Sequence, residues 1–313
     1  MAVRAAARAR GNSRRNDRTR PQEGHRVDAR PSRTDDGSQD LGRQLRADDA
    51  REKDHRLRRH GGLVLSSSSA HSVSILELYP EHLEASGERG NVTALRARLE
   101  RAGHQVDVEQ HTIGRRLPKD PDIVVIGNGP VSAVRAVYAD LMENAQALRS
   151  LADDGVPFFA VGAGAELLGG GITLADGTVL AGVGIFPFSA RRGVPRQVGY
   201  IVVESAQGTV VGFEDNASEW NLDSGAVPLG VVTSGGGNGN GREGVIAGSS
   251  IATQTKGPIL PLNPSLSDAV IRAALERRDV AYAPSAAHAE LDRLAAKSRE
   301  VIVANVKSVF TTI

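Results

Sequence analysis

Residues 157–169 carry the pattern of a turn that presents a catalytic nucleophile. The apolar run Pro-Phe-Phe-Ala-Val leads into Gly-Ala-Gly and then into the helix-forming segment Ala-Glu-Leu-Leu. A strand that turns sharply into a helix exposes the side chain at its apex, and the backbone N–H groups that follow can stabilise an oxyanion. The apex residue here is Gly162, and the chain contains no Cys. The turn is therefore built for nucleophilic catalysis but carries no nucleophile.

Strand and helix patterns alternate around this turn. Apolar runs typical of strands occupy residues 73–78, 105–108, 123–126 and 158–161. Helical stripes separate them, at Val92, Leu95, Leu99 and Ala102, and at Val134, Val137, Leu141, Leu148 and Leu151. This alternation predicts a mostly parallel sheet flanked by helices, a three-layer αβα fold within residues 71–280.

The second half of that region has a different pattern. Short β segments at residues 198–204, 209–213, 231–233 and 245–247 predict an antiparallel extension of the same sheet. The glycine-rich run at 234–241 lacks the Lys-Ser/Thr ending of a phosphate-binding loop, so it predicts a hairpin connection.

Two helices are predicted near the C-terminus. One covers residues 266–277, with Ser265 or Ser267 as its cap. A polar helix covers 286–300 within a C-terminal segment, 281–313, and the apolar run at 301–303 is left unassigned. Trp220, the single tryptophan, is predicted to be buried or at an interface.

The N-terminal segment differs from the rest in composition. Residues 1–60 hold 17 Lys and Arg against 10 Asp and Glu, and no aromatic residue precedes Tyr79. Such a segment buries too little apolar area to offset chain entropy, so residues 1–70 are predicted to be a disordered basic tail. Because its arginines alternate with acidic residues, we expect no nucleic-acid partner. The chain has no long apolar run, so we expect no membrane insertion and a cytoplasmic location.

Seven motifs, in order, give the chain a family resemblance. They are Leu-Tyr-Pro-Glu at 78–81, Gly-Glu-Arg-Gly-Asn at 87–91, the strand and Gly-Asn-Gly at 121–129, the turn at Gly162, Arg-Gln-Val-Gly at 196–199, Gly-Phe-Glu-Asp-Asn at 212–216 and Lys-Gly-Pro-Ile-Leu-Pro-Leu-Asn-Pro at 256–264. With Pro-Leu-Gly at 228–230 they span residues 73 to 278. The chain resembles class I glutamine amidotransferases of the cobyric acid synthase type, and among them the glutaminase subunits of lipid II isoglutaminyl synthases.

The resemblance also shows what the chain lacks. Gly162 stands where the family has its nucleophilic Cys, and Lys256 stands where it has its catalytic His. The resemblance implies that Arg196 contacts the substrate glutamine. The alternative is that Arg196 is an exposed charge without that role. It places Asn128, Gly129 and Ala163 at the oxyanion site, in altered form. No catalytic residue, cofactor or metal is expected.

Two functions remain open on the sequence alone. The first is a non-catalytic subunit that keeps the fold and binds a Mur-ligase-like protein, with glutamine a doubtful ligand. The second is an active amidotransferase. It would use either a nucleophile other than Cys or exogenous ammonia. Candidates for such a nucleophile are the hydroxyls of Ser249, Ser250 and Thr253, paired with Lys256. A product without a role is a third outcome that the sequence does not separate from the first.

Overall fold

The computed structural model describes residues 72–309 and 311–312. The predicted basic tail, residues 1–70, lies outside the described residues. The strands are β1 (Ser72–Leu78), β2 (Gln105–His111), β3 (Ile123–Ile126), β4 (Phe158–Val161), β5 (Gly171–Thr173), β6 (Val179–Ala181), β7 (Phe188–Ser205), β8 (Gly208–Leu222), β9 (Gly230–Ser234), β10 (Arg242–Glu243), β11 (Val245–Ala247), β12 (Ser250–Thr253) and β13 (Thr311–Thr312). The helices are α1 (Arg89–Arg101), α2 (Val131–Glu143), α3 (Ala145–Asp153), α4 (Gly162–Leu168), α5 (Ile259–Leu262), α6 (Pro264–Glu276) and α7 (Ala289–Val309), with a 3₁₀ turn at Ala286–His288.

The first sheet has six strands in the order β11-β12-β4-β3-β1-β2. All neighbouring pairs are parallel except β11 with β12. Every residue of β3 and β4 is buried, because helices cover both faces. Ile123 and Val125 pack in the cluster that contains residues of α1 and α6, whereas Val124 and Ile126 pack in the cluster that contains residues of α2, α3 and α4. The predicted three-layer arrangement is confirmed.

The predicted antiparallel extension is only partly right. Of its four segments, only 245–247 joins the first sheet, as β11. The other three lie in a second sheet, where β7 and β8 form a long antiparallel hairpin and β9 pairs with one end of β7. An 18-residue strand such as β7 offers hydrogen-bonding edges to several short strands, so it organises a sheet of its own. The glycine-rich run does connect two antiparallel strands, β9 and β10, as predicted.

Helix boundaries differ from the sequence expectations at three places. The stripe from Val134 to Leu151 is two helices, divided at Asn144, whose side chain donates to the Asp140 carbonyl. Neither Ser265 nor Ser267 caps α6; the helix begins at Pro264, whose missing N–H is not needed there. The run at 301–303 continues α7, and its central residue Ile302 packs with Val202 and Val211.

Asn263 joins the start of α6 to the second sheet. Its Oδ1 accepts the Val211 N–H at 2.9 Å, and its Nδ2 donates to the Val211 carbonyl at 2.8 Å and the Ile259 carbonyl at 2.8 Å. The side chain of Arg299 in α7 donates to the same Oδ1. One fully buried amide therefore satisfies backbone groups of β8 and α5 and contacts α7.

We predict that Asn263→Ala lowers the free energy of unfolding by roughly 2–4 kcal/mol, because it leaves the buried N–H and C=O of Val211 without partners. Asn221→Ala, which truncates an exposed Asn of the same strand as Val211, is the matched control and should cost less than about 0.5 kcal/mol. Urea unfolding of both variants measures the difference. Equal effects would show that the Asn263 amide does not join these elements.

Within the described residues, no helix has the length and apolar character needed to cross a bilayer.

Candidate functional site

The turn between β4 and α4 has the geometry that its sequence predicts. Gly162 follows the buried strand directly and has a φ of 51°, in the left-handed region that favours glycine. A Cβ built at this position would overlap both Nζ of Lys256 and Oδ1 of Asn128. The apex of the turn therefore has no room for a side chain, because two other side chains already fill that space.

Asn128 occupies the oxyanion side of the turn. It lies just beyond the end of β3, and its Oδ1 accepts the Ala163 N–H at 3.0 Å. The backbone carbonyl of the preceding Gly127 accepts the Gly164 N–H at 3.0 Å. The first amides of a helix have no intrahelical partners, and they are the donors that could bind an oxyanion. Here the chain itself satisfies the donor of Ala163.

Lys256 stands on the opposite side of the apex. Its side chain is only 7% exposed, and among residues 72–309 its ammonium forms no hydrogen bond or ion pair within 4.0 Å. Burial lowers the pKa of Lys256 to about 8, a shift that the carboxylate of Glu166 opposes and the guanidinium of Arg192 favours. A substantial fraction of the amine is therefore neutral near pH 8, unlike that of an exposed lysine.

Two buried carboxylates hold the segment that carries Lys256. On one side, Glu243 accepts the N–H groups of Gln254 and Thr255 and the hydroxyl of Thr255. Burial raises the pKa of Glu243, and hydrogen bonds from Thr253 and Thr255 oppose that shift. On the other side, Glu88 accepts the Gly257 N–H at 3.1 Å. The position of Lys256 is thus fixed by the backbone on both sides of it.

Glu166, in the first helix after the turn, joins the site to the second sheet. Its carboxylate accepts from Arg192 Nε at 2.6 Å and from Trp220 Nε1 at 3.3 Å. Trp220 is buried and stacks on Phe188 with ring centroids 4.1 Å apart, so the prediction of burial is confirmed. These contacts place the only carboxylate of α4 close to Lys256.

A cavity of about 620 Å³ opens above the turn. Four sequence-predicted residues line it: Asn128, Gly129, Arg196 and Lys256. Gly162 and Ala163 do not line it, since Asn128 and Lys256 lie over them. The structure thus brings all six predicted residues together but separates the turn from the cavity.

Arg196 lies at the rim of the cavity. Its side chain is 57% exposed and forms a two-pronged ion pair with Asp215, of which the Nη2–Oδ2 contact is 2.6 Å. It is part of β7, at the irregularity in strand register between Arg192 and Gln197, and not of a loop. Arg196 is an exposed charge that lines the cavity, and its contact with glutamine stays a prediction.

Sequence reasoning missed three groups that shape the cavity: Glu166, Asp215 and Asn216. Asn216 is 4% exposed, yet neither atom of its amide has a partner among the described residues. Glu166 could have been predicted as a site residue, because it follows the apex by four residues and α4 must run beside the site. Asp215 and Asn216 belong to the motif at 212–216, but only the pairing of β8 with β7 shows that they reach the cavity.

The hydroxyls considered for a Ser–Lys pair are all occupied elsewhere. Ser249 donates to the Gly155 carbonyl, Ser250 accepts the Phe158 N–H, and Thr253 donates to Glu243. None of the three lines the cavity. His288 is buried in the 3₁₀ turn that precedes α7, against the Arg98 carbonyl, and is not on a polar helix surface.

Residues 74–263 match the CobB/CobQ-like glutamine amidotransferase domain. The chain belongs to this family. Its relatives include the lipid II isoglutaminyl synthase (glutamine-hydrolyzing) subunit GatD of Staphylococcus aureus strain N315, 31% identical over 218 residues, or 68% of this chain and 89% of the relative. The subunit of the same name from Streptococcus pneumoniae strain ATCC BAA-255 / R6 is 26% identical over 215 residues, 66% of this chain and 82% of the relative.

Solved structures resemble this chain less closely than the two relatives above do. A crystal structure of a glutamine amidotransferase has a TM-score of 0.44 and 17% identity, covering 66% of this chain and 99% of that chain. A glutamine amidotransferase from Thermotoga maritima has a TM-score of 0.41 and 15% identity, covering 74% and 94%. The family assignment therefore rests on the sequence matches.

We predict that Gly162→Ala destabilises the protein by roughly 2–4 kcal/mol, since it adds left-handed strain and displaces the Asn128 side chain from the Ala163 N–H. Gly248→Ala is the matched control: its φ is 58°, but a Cβ there would meet nothing within 4 Å. Gly248→Ala should lower the free energy of unfolding only by the strain of a left-handed alanine, about 1 kcal/mol. Urea unfolding compares the two, and equal losses would mean that the space above Gly162 is open.

Proposed function

We propose that this chain is an amidotransferase-like subunit without glutaminase activity, acting as a structural or regulatory partner of a Mur-ligase-like protein. The observation that carries the proposal is the filled space above Gly162. Lys256 stands where a nucleophilic side chain would project, and Asn128 accepts the N–H that an oxyanion would need.

Hydrolysis of a glutamine amide needs a nucleophile, a base and an oxyanion donor at one carbon atom. Glycine at position 162 offers no nucleophile. Lys256 is at the base position, but its amine lies over the apex, where the substrate carbon would have to be. A substrate amide would also have to displace Asn128 to reach the Ala163 N–H.

The alternative is an active enzyme with another nucleophile, and the lowered pKa of Lys256 is the feature that favours it. An amine that attacks a glutamine side chain yields an amide, however, and that product is as resistant to water as the substrate was. Such a site would react once and would not turn over. The neighbouring hydroxyls are bound elsewhere, so a Ser–Lys pair lacks support.

The partner is inferred from the relatives, which are named as subunits of an isoglutaminyl synthase. The retained motifs do not add support for this partner, because their residues form hydrogen bonds within the chain itself. Asn91 donates to the Gly257 carbonyl and accepts the Leu260 N–H, and Glu88 binds the Gly257 N–H. These motifs support a folded product, and binding to a Mur-ligase-like protein requires its own measurement.

The test is release of ammonia from glutamine by the purified chain, alone and with the Mur-ligase-like protein encoded nearest to it. The Staphylococcus aureus relative serves as the positive control. We expect no turnover in either case, and co-elution of the two proteins as a complex. Sustained release of more than one ammonia per chain, dependent on glutamine, would contradict the proposal.

A second arm restores the missing groups. Gly162→Cys with Lys256→His should still show little turnover, because Asn128 keeps the Ala163 N–H and an acyl-transfer site tolerates displacements of only about half an ångström. Adding Asn128→Gly, which frees that N–H, should raise the activity of the double variant. Robust activity from the double variant alone would show that Asn128 does not block the oxyanion site.

A further inference from the structure

An amine and a carboxamide meet over Gly162. A Cβ built on this glycine would overlap Lys256 Nζ and Asn128 Oδ1 and would lie 2.9 Å from Asn128 Cγ. The amine and the amide group therefore occupy the space that the side chain of any other residue at position 162 would take. The described residues supply no hydrogen bond or ion pair to the ammonium of Lys256 that would hold it away from Asn128.

The fold explains why these side chains meet. Asn128 follows β3, Gly162 follows β4, and Lys256 follows β12, and these three strands are adjacent and parallel in the order β12-β4-β3. The carboxyl ends of parallel strands lie at one edge of the sheet, so the segments after β3 and β12 approach each other across the end of β4. Glycine at the middle position lets their side chains come together.

The amide carbon is also polarised. The Ala163 N–H donates to Asn128 Oδ1, and because it is in the first turn of α4 it has no intrahelical partner and can stabilise negative charge on that oxygen. The carboxamide of Asn128 is chemically the same group as the side chain of glutamine, shorter by one methylene. The site thus combines the carbonyl of the Asn128 side chain, the N–H of Ala163 as its hydrogen-bond donor and the amine of Lys256 beside it.

We propose that Lys256 and Asn128 of this chain form an intramolecular isopeptide bond. The neutral amine of Lys256 attacks Cγ of Asn128, and the developing oxyanion stays on the Ala163 N–H. The Cγ–Nδ2 bond then breaks, and one proton passes from Nζ to the departing nitrogen, which leaves as ammonia. Atoms and charges balance, and no other reactant is needed.

The surroundings favour this reaction. Lys256 is buried and Asn128 is half-buried. The Ala163 N–H orients the carboxamide and backbone hydrogen bonds fix the segment that carries the amine, so the reaction is intramolecular and draws on a high effective concentration. The charged groups that interact with the ammonium are Glu166 of α4, Arg192 of β7, Glu88 before α1, Glu243 of β10, and Glu214 and Asp215 of β8. Burial nevertheless keeps the pKa of Lys256 at about 8, so the reactive neutral amine is available at a mildly alkaline pH.

The test is the intact mass of the purified full chain, before and after incubation at pH 9. We expect a mass below that of the sequence by one ammonia, and after proteolysis a pair of peptides joined between Lys256 and Asn128. Lys256→Arg and Asn128→Ala should each yield no joined peptides. Asn128→Asp should lose water in place of ammonia, and Asn221→Ala, the exposed control, should still lose ammonia.

Asn128, Asn238 and Asn240 each precede a glycine, and an Asn-Gly pair can also lose ammonia by closing a succinimide. That product stays within one peptide and forms equally in Lys256→Arg, whereas the isopeptide joins two peptides and needs the amine. A full mass at pH 9, or a loss of ammonia without the joined peptides, would overturn the proposal. Because the bond releases at most one ammonia per chain and does not depend on glutamine, its failure is distinct from that of the proposed function.

Discussion

The hydrogen bond from the Ala163 N–H to Oδ1 of Asn128 determines what the site can do. It couples the end of β3 to the start of α4 and removes the donor that amide hydrolysis would require. It also fixes the orientation of the carboxamide, since only the oxygen can accept from a backbone N–H. The volume over Gly162 is then bounded by Asn128 on one side and Lys256 on the other.

Buried carboxylates provide the second constraint. Glu243 binds the segment before Lys256, Glu88 binds the segment after it, and Glu166 ties α4 to Arg192 and Trp220. Each carboxylate accepts hydrogen bonds from several donors, which offsets the cost of burying it. The amine of Lys256, by contrast, has no such partner among the described residues, so burial shifts its pKa instead. The hydrogen bonds of these three carboxylates therefore fix the backbone around the reactive amine of Lys256.

Much of the first sheet could be predicted from the sequence because β3 and β4 are unbroken apolar runs, and the turn at Gly162 followed from an apolar run that leads into glycines and a helical segment. The second sheet could not, since the short segments after residue 190 pair by contacts that local pattern does not encode. The contact between Asn128 and Ala163 depends on the adjacency of β3 and β4. Glu88 belongs to the motif at 87–91 and Glu243 to none of the motifs, and only the fold brings both to the segment around Lys256.

The most direct test of this account is amide hydrogen exchange at Ala163, measured by NMR with and without saturating glutamine. The account predicts strong protection that glutamine does not alter and that Asn128→Ala abolishes. The Gly164 amide, which donates to the Gly127 carbonyl, should stay protected in that variant and serves as the internal control. Exchange of Ala163 at the rate of an unstructured peptide, or a glutamine-dependent change in its protection, would show that the oxyanion site is open and would contradict the account.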